Sequence, residues 1–189
     1  KDILCITVSS KLSMVYQSAQ IARDQVRDEL PGINIEVIDS YTATAAQGFV
    51  VLAAARAAKE GKSLTEVVKA TEEMRDKINN VVLLDTIRHV YRSGRIPKIA
   101  AQVGSILNIR PIFTVSGAVR FIGVVRSRER GVERLLKMVR DKVGTSPIHV
   151  AVMHAYALDE AEKLKERVLS EFNCAELWLS EFSPLMGYA

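Results

Sequence analysis

Apolar residues in this chain fall into short strand-like runs that alternate with longer stretches of helical spacing. Asp2 to Val8 reads as a strand, and Ser13 to Leu30 as a helix whose Val15, Ala19, Ala22, Val26 and Leu30 share one face. Pro31 and Gly32 stop it, and Ile33 to Ile38 forms a second strand that ends in Asp39 and Ser40. Thr44 to Lys59 is an alanine-rich helix closed near Gly61. Ser63, with Glu66 three residues on, makes a capping box for a helix carrying Leu64, Val67, Val68, Thr71, Met74 and Ile78. Val81 to Leu84 starts another strand, followed by expected helices from Thr86 to Arg92 and from Lys98 to Leu107, with Gly94 between them as a left-handed cap. The domain boundary is expected near Asn80, dividing the chain into residues 1–80 and 81–189.

Beyond Pro111 the pattern changes. Ile112 to Val115 and Ala118 to Arg126 read as a hairpin joined at Ser116 and Gly117. A helix from Arg128 to Val143 follows, with Val132, Leu135, Leu136 and Val139 facing inward. A strand from Pro147 to His154, a helix from Ala157 to Phe172 and a strand from Ala175 to Phe182 complete the order. The expectation is an α/β protein: a partial parallel-sheet α/β domain, then a second α/β domain with a mixed sheet and helices packed on it.

Composition narrows the function classes. With 48% hydrophobic residues in 189, the chain is long enough to bury a core, which argues against disorder. Its formal charge of +4 would allow an acidic partner, but acidic and basic residues alternate along most expected helices, so charge gives no support for nucleic-acid binding. The two cysteines, Cys5 and Cys174, offer neither a disulfide framework nor metal-ligand spacing and suit a reducing cytoplasm. No apolar stretch reaches the length of a membrane span. The first residue is Lys1 and the first run already reads as a buried strand, which suggests that an upstream part is lacking.

Candidate chemistry gathers where strands empty into turns. Ile6 to Ser13 is a strand leading into a hydroxyl-rich turn that opens a helix, and such helix starts attract anions through unpaired N–H groups. Ser10 or Ser13 can serve there as ligand donor or simply as helix cap, and the cap is the commoner case. Gly94 turns the chain so that Arg95 either enters a cleft to anchor a carboxylate or lies on the surface, and the residues alone weigh the two evenly. Asp39 closes the second strand and is more often a cap or turn former than a ligand group. Arg120, Arg126, Arg128 and Arg130 around the hairpin form either a basic docking surface or, more commonly, a solvated face. Among the three histidines His154 is the best placed for a site, while His89 and His149 read as structural or exposed. A hydrolase built on Ser10 or Ser13 with His154 would lack the usual nucleophile-elbow motif. Phosphate-loop, dinucleotide, metal and stacking-aromatic patterns are lacking too.

Taken together and in order, ITVSSKLSMVYQSA (Ile6 to Ala19), Val37-Ile38-Asp39-Ser40, Ser93-Gly94-Arg95-Ile96 and LNIRP (Leu107 to Pro111) resemble the DegV family across essentially the whole chain. The resemblance implies a two-domain carrier that encloses one long-chain fatty acid such as palmitate, with the carboxylate held between the domains. It implies that Ser13 donates to the carboxylate, with Ser10 nearby, and that Arg95 supports the head-group network. Arg126 matches a position that meets a fatty acid kinase, which phosphorylates the presented carboxylate. The carrier itself performs no chemistry and uses no cofactor beyond the bound lipid. Met14 and Val15 depart from the family's usual Gly and Thr, Ser93 replaces a glycine, and Ala45 to Gly48 lack the usual glycine pattern. The family's N-terminal Thr-Ser-x-Pro loop has no counterpart, and Ala189 falls where the family has a histidine. The residue-level alternatives are an enzyme acting on a small anionic substrate, with Ser13 as nucleophile or Asp39 as base, and a regulatory interaction module centred on Arg126.

Overall fold

The computed structural model describes residues 1–86, 94–95 and 109–183. Apart from Thr86, the helices expected at Thr86 to Arg92 and Lys98 to Leu107 lie outside these residues, as do His89, Ser93, Leu107 and Asn108 of the LNIRP segment, and Ala189. The chain forms two compact units, one of residues 1–80 with 115–119, the other of 81–114 with 120–189. The described part is an α/β fold with both parallel and antiparallel pairing.

In the first unit β1 (Ile3–Thr7) pairs in parallel with β2 (Ile35–Asp39), with Ile3 opposite Ile35 and Thr7 opposite Asp39. Both strands therefore end at the same level, and their carboxyl-end loops lie side by side. The crossover between them is α1 (Val15–Val26), followed after β2 by α2 (Thr44–Lys59) and α3 (Leu64–Lys77). Alanines at 54 and 57 let α2 approach α3 closely, and with Val67 they form a small core against Leu4, Ile6 and Ala70. Helix α3 starts with the expected capping box: the Ser63 hydroxyl accepts from the Glu66 amide, and the Glu66 carboxylate accepts from the Ser63 amide. Two orphan N–H groups are thereby satisfied.

Helix α1 differs from its expected form. It ends at Val26, and residues 27–30 continue as turns in which the Glu29 and Leu30 amides both donate to the Val26 carbonyl. Pro31 disfavours helical geometry at Leu30, and Asp28 and Glu29 would place negative charge at the negative end of the helix dipole. The inward face also differs. Tyr16, Ala19, Gln20, Arg23 and Val26 are half-buried, whereas Val15 and Ala22 face outward.

In the second unit β3 (Val82–Leu83) pairs antiparallel with β4 (Arg110–Ser116), which neighbours β5 (Ala118–Val125). The tip of this hairpin belongs to the first unit. Gly117 makes the turn at φ 72°, where any side chain would be strained. Two further helices, α4 (Arg128–Val143) and α5 (Leu158–Glu171), alternate with the parallel pair β6 (Ile148–His154) and β7 (Cys174–Glu181). Leu136, Val152, Ala161, Val168 and Phe172 form the core, with Val132, Val139 and Leu177 packed around it.

Candidate functional site

The carboxyl ends of β1 and β2 open into two loops that share one hydrogen-bond network. Ser9, fully buried just beyond β1, is its most connected residue. Its amide donates to the Thr42 carbonyl at 2.9 Å, and its own carbonyl accepts from the Leu12 and Ser13 amides at 2.9 and 3.1 Å. Its hydroxyl donates to the Gly117 carbonyl at the hairpin tip and accepts from the Lys11 amide. The turn from Ser10 to Ser13 is therefore wound around a single buried side chain.

Asp39 ties the second loop to the first. Its carboxylate is only 6% exposed; one oxygen accepts from the Ser10 amide at 3.1 Å and the other from the Tyr41 amide at 2.8 Å. The bond to Tyr41 is an Asx-type turn, and that to Ser10 reaches across to the neighbouring strand end. Tyr41 in the second loop sits at φ 52° and Thr44, the first residue of α2, at φ 63°, so two non-glycine residues hold left-handed geometry here. Asn80 braces the same loop: its amide nitrogen donates to the Thr42 hydroxyl at 3.1 Å, and its amide oxygen accepts from the Val115 amide at 2.6 Å. The Gly117 amide completes the set by donating to the Tyr41 carbonyl.

Ser13 is half-buried at the end of this turn. Its hydroxyl oxygen accepts a long 3.4 Å bond from the Val15 amide, and no acceptor among the described residues takes its proton. The adjacent N-cap of α1, Met14, makes no side-chain capping bond, and the first turn carries no acidic residue. The positive end of α1 is thus left without a neutralising carboxylate of its own, and a hydroxyl donor stands beside it. The Ser10 amide is committed to Asp39, while its side chain is half-buried in the same turn and takes no part in capping α1.

The other sequence-derived candidates belong to the second unit. Arg95 is exposed and follows Gly94, which adopts the expected left-handed geometry at φ 72°. Arg126 is exposed immediately after β5, and its carbonyl accepts from Arg110. Arg128 is not an unpaired basic residue, because it binds the carboxylates of Asp85 and Glu160. Burial works against ionisation of Asp85, but hydrogen bonds from Arg110 and Arg128 outweigh it and hold its carboxyl below the usual range. The His154 ring accepts from the Ala157 amide at 3.4 Å, a local turn contact, and His149 pairs with Glu176 on the surface.

Among the described residues, each unit has a cleft of its own. One of ≈ 310 Å³ in the first unit is bounded by Tyr41, Thr42, Arg75, Asp76 and Ser116, with the Arg75 guanidinium 5.0 Å from the Tyr41 ring centre. The other, ≈ 600 Å³ in the second unit, is bounded by Asp85, Arg128, His154, Tyr156, Glu160 and Glu181. Both have charged walls unsuited to an acyl chain. Sequence reasoning missed Ser9, Thr42 and Asn80, whose partners lie far away along the chain.

Residues 1–188 match the profile of a family described as "uncharacterised protein, DegV family". The chain belongs to the DegV family. A DegV domain-containing protein of Clostridium acetobutylicum is 35% identical over 190 residues, covering 98% of this chain and 66% of that relative. The chain thus spans a little under two thirds of the relative's length. Among solved structures, a DegV family protein from Eubacterium eligens loaded with heptadecanoic acid has a TM-score of 0.89 at 22% identity, covering 100% of this chain and 68% of the other. DegV of Bacillus subtilis, described as a fatty acid binding protein, has a TM-score of 0.85 at 26% identity, covering 100% of this chain and 66% of the other. The α/β architecture described above is therefore that of solved DegV proteins.

Proposed function

We propose that this DegV-family chain forms most of a carrier that binds one long-chain fatty acid and presents its carboxylate, without itself catalysing a reaction. The observation that carries this reading is the match of this whole chain to 66% of a DegV protein described as fatty acid binding, at 26% identity. It is supported locally by the donor-rich, acid-free start of α1 beside Ser13. We assign the Ser13 hydroxyl as donor to the carboxylate, the Ser10 hydroxyl as a neighbouring contact, and Arg95 as support for the head group. An acyl tail gains about 0.8 kcal/mol for each methylene it buries, so apolar contact supplies most of the affinity and a few donors fix orientation. The finer steps, presentation to a fatty acid kinase through Arg126 and a cytoplasmic location, belong to the same proposal.

The test is native mass spectrometry of the whole protein, followed by denaturing lipid extraction. The reading expects a mass increment of one long-chain fatty acid per chain, and Ser13→Ala is expected to lower that occupancy. A protein that carries no lipid and takes up none from added palmitate would refute it.

A further inference from the structure

We infer that Asp39 is a positioning residue for the head-group donor, acting through the Ser10 to Ser13 turn; this rests on the carrier reading above. A carboxylate in a site built for a carboxylate ligand looks misplaced until its bonds are followed. Asp39 is 6% exposed, and both of its oxygens are engaged by backbone amides, Ser10 at 3.1 Å and Tyr41 at 2.8 Å. An ionised carboxylate offers only acceptors, so it can satisfy two converging N–H groups at once. An asparagine of the same shape satisfies one and turns its own NH2 against the other.

The link to Ser13 is short. The Ser10 amide that Asp39 holds lies one residue after Ser9, and the Ser9 carbonyl receives the Leu12 and Ser13 amides. With the start of the turn fixed by Asp39 and its centre by Ser9, the Ser13 hydroxyl is presented without an acceptor for its proton among the described residues. Asp39 occupies the Ser10 amide and so directs an incoming anion to Ser13 instead. Charge-assisted bonds of this kind are stronger than neutral ones, which suits a group that must hold a loop against solvent. Asp39 is thus neither a base nor a ligand contact.

The experiment compares binding of palmitate and of hexadecanol, which has the same chain and no carboxylate, by competition against a fluorescent fatty acid. The whole protein is used as wild type, Asp39→Asn, Ser13→Ala and the double variant. The expectation is that Asp39→Asn weakens palmitate about tenfold, the loss of roughly one hydrogen bond, and leaves hexadecanol within about twofold. The double variant is expected to bind palmitate no more weakly than the weaker single variant, because both changes disable one donor. Equal weakening of palmitate and hexadecanol by Asp39→Asn would overturn the inference, as would losses that multiply in the double variant. A wild type with no preference for palmitate over hexadecanol would overturn this role while leaving lipid carriage standing, whereas one that binds neither would remove the carrier reading. If Asp39→Asn does not fold, hydrogen exchange of the wild type decides: protected Ser10 and Tyr41 amides support the inference, and freely exchanging ones overturn it.

Discussion

Replacing Ser9 by alanine tests the loop network where it is most concentrated. The side chain is fully buried, and its hydroxyl makes two bonds, one to the Gly117 carbonyl and one from the Lys11 amide at 3.2 Å. The two losses are unequal. Lys11 is exposed, so its amide regains water, whereas the Gly117 carbonyl loses a partner in a partly buried setting. Counting about 0.5 kcal/mol for the first and ~1.5 kcal/mol for the second gives a destabilisation of about 2 kcal/mol. For a chain of this size that corresponds to a fall in Tm of about 4–8 °C. Differential scanning calorimetry reads it, with Ser170→Ala as control, since that residue is exposed and its hydroxyl donates to the Arg167 carbonyl of its own helix. A Ser9→Ala protein that melts with the Ser170→Ala control would refute the view that Ser9 anchors the turn.

Other consequences can be measured on the same protein. Val50 is completely buried in α2, so Val50→Ala should cost about 2 kcal/mol in chemical denaturation, from two lost methyl groups plus the void they leave. Asp85 has a folded pKa held below its unfolded value of about 3.9, so the stability it contributes is present above that pH and fades as pH falls through the folded value. The Asp85→Asn variant should therefore lose less stability than the wild type between about pH 5 and pH 2, read from urea midpoints; parallel curves would contradict the assignment. Burial pushes the Cys174 thiol up, so mass spectrometry at pH 8 should find it alkylated more slowly than a free thiol. Equal rates would show the site to be open.

The sequence was most legible where structure is decided locally. Helix α3 is set by Ser63 and Glu66, three residues apart, and α2 by an alanine run, and both form as expected. The expected helix Ser13 to Leu30 overruns α1 by two residues at its start and four at its end, and its face is only partly right: Ala19 and Val26 are half-buried as expected, but Val15, Ala22 and Leu30 are exposed while Tyr16, Gln20 and Arg23 turn inward. Periodicity cannot tell which of two semi-apolar faces a sheet will cover. The loop network was invisible for a different reason. Ser9 meets Gly117 across 108 positions and Asp39 meets Ser10 across 29, and single serines and aspartates near strand ends carry no mark of such partners. Asp39 was foreseen as a turn former, which its bond to Tyr41 makes it, but its second bond has no local signature.

A crystal structure of the whole protein with palmitate bound measures the central claim directly. The account predicts a carboxylate oxygen within about 2.6–3.0 Å of the Ser13 hydroxyl, with the Asp39 carboxylate still bonded to the Ser10 amide. A palmitate whose carboxylate lies away from Ser13, or a protein that remains empty with the lipid in excess, would contradict it.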